Sequence, residues 1–235
     1  MIRKLLKILG VLLLLFIIGF GCLYFIYNEK IPEGQTGTEA DALAKKMLNS
    51  LNYETYKQTR FLEWSFRGGA HKYKWDKKKA MVEVRWDNYL VQLDLISIKS
   101  SLVFKNKERF NENESIPIIE DALNYFNNDS FWLVAPYKVF DKGTQRSIVP
   151  LEDDLSGLLV TYGSGGSTPG DSYLWVLQPN GFPKSFKMWV KIIPIGGIEA
   201  TWDDWAIMES GAYLPKTHKL GPLELSMGDI RGYNR

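Results

Sequence analysis

The chain has 235 residues, of which 29 are basic and 27 acidic, and its net charge is +2. Three of the bases, Arg3, Lys4 and Lys7, precede the first acid, Glu29, so the rest of the chain has 26 bases and 27 acids. That remainder lacks the excess of positive charge by which proteins bind nucleic acids. A single cysteine excludes an intramolecular disulfide and a cysteine-based zinc site. Two histidines leave little scope for a multi-histidine metal centre, so we expect neither a metal nor another cofactor.

The segment from Ile8 to Tyr27 contains twenty residues without a charge. Twenty helical residues rise about 30 Å, which matches the hydrocarbon core of a bilayer. We therefore predict that residues 1–27 form an N-terminal transmembrane anchor. Its first, central and last apolar positions are Ile8, Leu15 and Tyr27.

The charges that flank this segment predict its direction. Arg3, Lys4 and Lys7 precede it, whereas Lys30 alone follows closely. Because basic flanks of a membrane span stay in the cytoplasm, we expect the N-terminus there and residues 28–235 across the membrane.

Two alternatives to an uncleaved anchor stay open. Gly21-Cys22 partly matches a lipoprotein signal, in which the cysteine is lipidated, but Gly19 stands where such a signal has leucine and the run stays apolar after Cys22. Cleavage as an ordinary signal peptide needs a shorter apolar core and a small-residue cleavage site, and no such site follows.

A polar segment and a helix follow the anchor. Residues 28–38 are rich in Gly and Pro, which is typical of a linker. Thr38 is the predicted cap of a helix that begins at Glu39. Apolar side chains then recur at three- and four-residue steps, which predicts an amphipathic helix. They are Ala40, Leu43, Ala44, Met47, Leu48 and Leu51.

Alternating apolar and polar side chains predict strands through most of the remaining chain. Asp87-Asn88 predicts a tight hairpin turn, and a second helix is predicted from Ile118 to about Phe126. The later predicted strands are Leu155–Tyr162, Tyr173–Leu177, Phe182–Ile193, Gly197–Trp205 and Ala212–His218. About ten strands with short connections indicate one α+β domain, mainly β and antiparallel, over residues 39–235.

The glycine-rich segment from Gly163 to Asp171 has no established phosphate-binding or nucleophile motif. Asp171 follows Gly170 where a P-loop has lysine, and the order Gly-x-Ser-x-Gly is absent. Two interpretations stay open: a flexible connection between two strands, or a mobile lip at the mouth of a pocket.

Aromatic residues give the strongest indication of a binding site. All eight tryptophans follow the anchor, and large rings either fill a core or line a cavity for an apolar ligand. One face of the predicted strand 182–193 is fully apolar, whereas the other has Trp189 between two lysines. That apolar face consists of Phe186, Met188, Val190 and Ile192. The ligand-binding candidates are Trp175, Trp189 and Trp202.

The helix Ala40–Leu51 is followed by Phe61–Phe66, Trp75-Asp76 and Val82–Val84, and then by an inserted helix and further strands. This order resembles the LolA/LolB-like superfamily of periplasmic lipoprotein carriers. The segments 132–136 and 169–175 also resemble those of uncharacterised Bacteroidetes envelope proteins. The resemblance implies a half-barrel, a curved antiparallel sheet wrapped around helices, with an apolar cavity that accepts acyl chains. It also implies that the compartment is the periplasm and that the anchor lies in the inner membrane.

These features together predict a tethered periplasmic protein that binds a lipid or a lipoprotein acyl chain without catalysis. The expected partners are the membrane, a lipid or acyl chain and an envelope protein. One alternative is a tethered protein-interaction module with a filled core. A third candidate is a hydrolase that uses His71 or His218 with a nearby carboxylate, although no nucleophile motif accompanies either histidine.

The predicted topology can be tested with a reporter fused after Arg235. We expect activity from a reporter that works only in the periplasm, because the basic flank keeps the N-terminus in the cytoplasm. Activity of a cytoplasm-only reporter at the same position would contradict both the orientation and the compartment.

Overall fold

The computed structural model describes residues 2–152, 155–165 and 167–235 and has an α+β fold that consists mainly of antiparallel sheet. Its first helix, α1, runs from Ile2 to Tyr27, and the part from Leu6 to Tyr27 is long and apolar enough to cross a membrane. The prediction of one N-terminal apolar helix is therefore confirmed, whereas its direction stays a prediction. The side chain of Cys22 lies outside the described part, so its lipidation also stays a prediction.

Three further helices follow, α2 at Thr38–Ser50, α3 at Tyr53–Gln58 and α4 at Glu112–Val134. The predicted amphipathic helix corresponds to α2, but Gly37 occupies its N-cap position instead of Thr38. The short helix α3 has no counterpart in the predictions. Its single buried residue, Tyr56, stacks on Tyr137 with ring centroids 3.8 Å apart.

The first sheet has seven antiparallel strands in the order β16-β1-β2-β3-β4-β5-β6. They are β1 (Phe61–Phe66), β2 (His71–Asp76), β3 (Met81–Trp86), β4 (Tyr89–Asp94), β5 (Leu102–Lys105), β6 (Glu108–Arg109) and β16 (Arg231–Tyr233). The predicted hairpin turn is confirmed, because Trp86 pairs with Tyr89 across Asp87-Asn88.

The second sheet also has seven strands, in the order β15-β14-β11-β10-β9-β8-β7. They are β7 (Thr144–Pro150), β8 (Ser156–Tyr162), β9 (Ser172–Leu177), β10 (Pro183–Trp189), β11 (Ile198–Thr201), β14 (Thr217–Leu220) and β15 (Leu223–Ser226). A separate two-stranded ladder pairs β12 (Ala206–Ile207) with β13 (Tyr213–Leu214).

The two sheets meet at one side of the molecule. The backbone N–H of Ser65 in β1 donates to the carbonyl of Met227, just after β15, at 3.0 Å. At the other side, no strand pairing joins β6 to β7 among the described residues, so the sheets do not close into a barrel there.

Helix α4 is longer than the predicted helix 118–126. It continues to Val134 and takes in the apolar stretch that follows Phe126 in the sequence. The sequence pattern ends early because Asn127, Asn128, Asp129 and Ser130 interrupt the apolar stripe. In the fold this polar run is helical, and two of its members, Asp129 and Ser130, are buried.

Helix α4 lies against both sheets. Phe126 contacts Trp75 of β2, with ring centroids 5.2 Å apart, whereas Trp132 contacts Phe186 of β10 at 5.6 Å. One hydrophobic core therefore includes residues of both sheets and of α4.

A buried polar cluster fastens α4 to the first sheet. Asp129 is 1% exposed, and one of its carboxylate oxygens accepts a hydrogen bond from the Tyr73 hydroxyl at 2.6 Å and lies 2.7 Å from His71 Nδ1. The His71 ring also stacks on Tyr125 at 4.3 Å. Burial, together with the nearby Asp129, raises the pKa of Tyr73 well above its ordinary value, so its hydroxyl stays a donor.

The linker segment 28–38 contacts the second sheet. Gln35 pairs with Ile148 of β7 through backbone hydrogen bonds of 2.9 and 2.8 Å. Gly34 approaches β7 so closely that a Cβ at this position would come within 2.7 Å of the Ser147 Cβ, so this position requires glycine. The chain between the anchor and α2 is therefore packed on the domain.

The cluster at Asp129 should contribute strongly to stability. We expect Asp129→Ala to lower the free energy of unfolding by about 2–4 kcal/mol, because Tyr73 and His71 lose a buried partner. Urea unfolding of the detergent-solubilised chain measures the change. The matched control is Asp121→Ala, an exposed position on the same helix, for which we expect a change within about 0.5 kcal/mol. Equal effects of both substitutions would contradict this role.

Candidate functional site

A cavity of about 730 Å³ lies between α4 and the second sheet and reaches the first sheet. Ligand pockets have volumes of about 300–1,000 Å³ and mainly apolar walls. Its size therefore suits a ligand larger than a few water molecules.

One wall of this cavity is the apolar face predicted for the strand after Pro183. Phe186 and Met188 belong to β10, and Val190 and Ile192 continue the same alternation beyond its end. All four side chains line the cavity. The opposite face of β10 points away from it, as two-residue periodicity requires.

The opposite wall comes from α4 and from the first sheet. Its apolar members on α4 are Leu123, Phe126, Phe131, Trp132 and Val134. Trp75 of β2 and the connection after β4, at Leu95 and Ile98, complete it. The helix also contributes polar side chains at one end of this wall, among them Asn124 and Asn127.

The glycine-rich segment 163–171 forms part of the cavity edge. Ser164, Gly165, Ser167, Thr168 and Asp171 line the cavity. The hydroxyl of Ser167 donates to Asn124 Oδ1 at 3.0 Å and accepts from the Asn127 amide at 3.2 Å, so the segment bridges to α4. Gly166, which was part of the predicted loop, lies outside the described residues.

Two polar atoms in the cavity wall have no hydrogen-bond partner among the described residues. They are the indole N–H of Trp75 and the hydroxyl of Tyr162, and both are buried. Burial is the main cause that raises the pKa of Tyr162 far above its ordinary value, so the hydroxyl keeps its proton. Both atoms lie beneath the surface of the wall, so neither is exposed to the cavity.

Trp175 and Trp202 lie one layer behind the cavity wall. Both are buried, and neither is among the residues that line the cavity. Trp175 packs edge-on against Phe186 at 5.1 Å, and Trp202 contacts the same ring at 5.6 Å. They therefore support a lining residue, and direct contact with a ligand stays a prediction for both.

Trp189 lies on the opposite face of the second sheet. It packs there in a small cluster with Val149, Leu159 and Leu174. Its indole N–H donates to the backbone carbonyl of Glu29 at 2.8 Å. The structure thus places Trp189 against the segment that leaves α1 and away from the cavity lining.

The two histidines lie in different places and have different partners. His71 lies in the first sheet and contacts Asp129 of α4. His218 lies in the second sheet, where its Nδ1 donates to the Thr201 carbonyl at 2.9 Å. Among the described residues, neither histidine is hydrogen-bonded to a serine or a cysteine. In the same part of the chain, no group of three or more His, Cys, Asp or Glu side chains is arranged to share a metal ion.

Sequence reasoning missed most of the cavity lining. Leu123 lies within the predicted helix 118–126 but was not named as a candidate, whereas Phe131 and Trp132 belong to the part of α4 beyond the predicted end. Comparison of the chain with protein-family models, with curated proteins and with solved structures gives no significant match. The cavity must therefore be interpreted from its own geometry.

Burial of His218 should make stability depend on pH. Burial lowers the pKa of His218 to about 4, although its hydrogen bonds to backbone carbonyls act to raise this pKa. The unfolded chain, with a histidine pKa of about 6.5, then binds more protons between pH 6.5 and 4, so stability falls as the pH falls through this range. We expect a loss of about 3 kcal/mol from this group.

Urea unfolding at several pH values measures this loss. The control is His218→Gln, compared with its own stability at pH 7, because this substitution removes the titrating group. An equally steep decline in both proteins would show that His218 is not its cause.

Proposed function

We propose that this protein is a membrane-tethered binding protein for an acyl chain, carried either by a lipid or by a lipoprotein. The cavity of about 730 Å³ is the observation that supports this proposal most directly. Its walls consist largely of aliphatic and aromatic side chains from α4 and β10. Burial of alkyl groups in such a site contributes about 0.8 kcal/mol per CH₂.

The proposed architecture is the half-barrel of the LolA-like carriers. Two seven-stranded antiparallel sheets meet through the Ser65–Met227 hydrogen bond, and α4 packs against both of them. This arrangement is consistent with one curved sheet around a central helix. The apolar space beside that helix would then hold the acyl chain.

The proposed role is binding without catalysis. His71 is engaged with Asp129 and Tyr73, and His218 is buried against Trp202 with ring centroids 4.5 Å apart. Both histidines thus have packing roles that explain their positions. The proposed compartment is the periplasm, with the inner membrane as the site of the anchor.

The alternative of a protein-interaction module requires a filled core. An open cavity of this size with largely apolar walls favours ligand binding over that alternative, because such clefts are typical of ligand sites. The alternative predicts one dominant crosslinked protein partner and no binding of an apolar probe.

The proposal is tested by lipid binding to the full-length protein. Mass spectrometry of the protein purified in mild detergent should detect a co-purified lipid or acylated peptide. A fluorescent long-chain fatty acid should bind saturably and be displaced by unlabelled fatty acid. Absence of both signals would contradict the proposal.

A cavity-filling variant shows whether binding takes place in this cavity. Leu123→Trp should weaken fatty-acid binding by about tenfold, because the added ring displaces roughly two methylene groups of ligand contact. The matched control is Leu223→Trp, at an exposed leucine of β15 that does not line the cavity. The same loss of affinity in both variants would assign binding to another place.

A further inference from the structure

The chain is bound to the second sheet immediately after it leaves α1. The backbone N–H of Glu29 donates to the Gly196 carbonyl at 3.0 Å, and the Gly196 N–H donates to Asn28 Oδ1 at 2.8 Å. The Glu29 carboxylate pairs with Lys187 Nζ at 2.8 Å, and its backbone carbonyl accepts from Trp189. Four interactions therefore hold the residues that follow Tyr27.

Glycine makes this close approach feasible. A Cβ on Gly196 would come within 2.4 Å of the Trp189 ring and 2.8 Å of the Glu29 carbonyl oxygen. Gly197 has φ +81°, and a Cβ there would come within 2.6 Å of the Glu29 Cβ. The connection between β10 and β11 is thus shaped to receive the chain that leaves the membrane.

Chain length places this connection close to the bilayer. The apolar span ends at Tyr27, and Glu29 is two residues further on. Two residues span at most about 7 Å. The contact between Glu29 and Gly196 therefore lies within the headgroup region or directly beside it.

The same connection forms part of the cavity rim. Val190, Ile192 and Ile193 line the cavity, yet Ile192 is 70% exposed. Across the cavity, Ile96 is 82% exposed and lies between the lining residues Leu95 and Ile98. Two rim segments thus each present an exposed isoleucine, the kind of side chain that enters a bilayer interface.

The charges at the rim favour an anionic surface. Lys142 lines the cavity and Lys191 follows Val190, and neither has an acidic side-chain partner among the described residues. In the described part of the chain, the two acids at the rim do not form ion pairs with these lysines. Asp141 pairs with Lys138, and the Asp171 carboxylate accepts a hydrogen bond from the Lys191 backbone N–H at 3.0 Å. Unpaired lysines beside apolar side chains suit anionic lipid headgroups.

From these contacts we propose that the cavity mouth rests on the membrane leaflet at which α1 ends, and that the acyl ligand passes directly between that leaflet and the cavity. This inference rests on the proposed function, because it names the source of the ligand. The interactions of Asn28 and Glu29 set the orientation. Ile96 and Ile192 make the contact with lipid.

Site-directed labelling of the reconstituted full-length protein tests the contact with lipid. An environment-sensitive fluorophore is attached at Ile192→Cys, Ile96→Cys or Ile207→Cys in a Cys22→Ala background. Ile207, on β12, is 65% exposed and does not line the cavity, so it is the matched control. The vesicles contain phosphatidylethanolamine and phosphatidylglycerol, with or without a phospholipid that carries a nitroxide on its headgroup.

We expect the nitroxide lipid to quench the fluorophore at positions 192 and 96 and to leave it largely unquenched at 207. Equal quenching at positions 192 and 207 would overturn the proposal. The fatty-acid titration in detergent keeps the two hypotheses apart. Saturable binding without rim quenching refutes only the membrane-facing mouth, whereas rim quenching without binding refutes the acyl-chain function and with it the passage of ligand.

A second variant tests the anchoring interactions. Trp189→Phe keeps an aromatic ring in the outer cluster but removes the N–H that donates to the Glu29 carbonyl. We expect weaker quenching at position 192 and an unchanged affinity for the fatty acid in detergent. Unchanged quenching would contradict the role of this contact in orienting the mouth.

Discussion

The position of α4 between the two sheets is the constraint on which the rest of the structure depends. Phe126 packs on the first sheet and Trp132 packs on the second. The helix therefore contacts both sheets and holds them apart at this point. Between these two rings, Asp129 is fastened to Tyr73 and His71. A buried polar group of this kind restricts the helix to one rotation and one depth, because any other leaves hydrogen-bonding groups unpaired. The space beside the helix, which is the cavity, follows from that restriction.

Much of the fold could be predicted from local sequence patterns, because strand alternation and turn residues act over short distances. The hairpin at Asp87-Asn88 and the apolar face from Phe186 to Ile192 are examples. The full length of α4 could not be predicted in this way. Asp129 breaks the apolar stripe, and its burial depends on His71, a partner 58 residues away in the sequence. Such a pairing leaves no local periodicity in the sequence.

The site was predicted less well than the fold, for a similar reason. The alternation of side chains along β10 correctly places Trp189 and Met188 on opposite faces of the strand. It does not indicate which of these faces packs against α4. The tryptophan content indicated the correct region, yet Trp175 and Trp202 lie behind Phe186 instead of beside the cavity. Composition likewise marks residues 28–38 as polar, whereas their backbone hydrogen bonds to the second sheet are not visible in composition.

The contact between residues 28–29 and the β10–β11 connection bears on the energetics of the proposed acyl binding. A diffusing carrier must cover the whole ligand, because each exposed CH₂ costs about 0.8 kcal/mol and a chain of about sixteen carbons would cost roughly 13 kcal/mol. A domain whose cavity mouth rests on the bilayer has no such requirement, since the ligand passes from one apolar environment to another. An open cavity edged by exposed isoleucines would be a liability for a soluble shuttle. Beside the end of α1, where Glu29 binds Gly196, the same open edge fits the proposed attachment to a membrane.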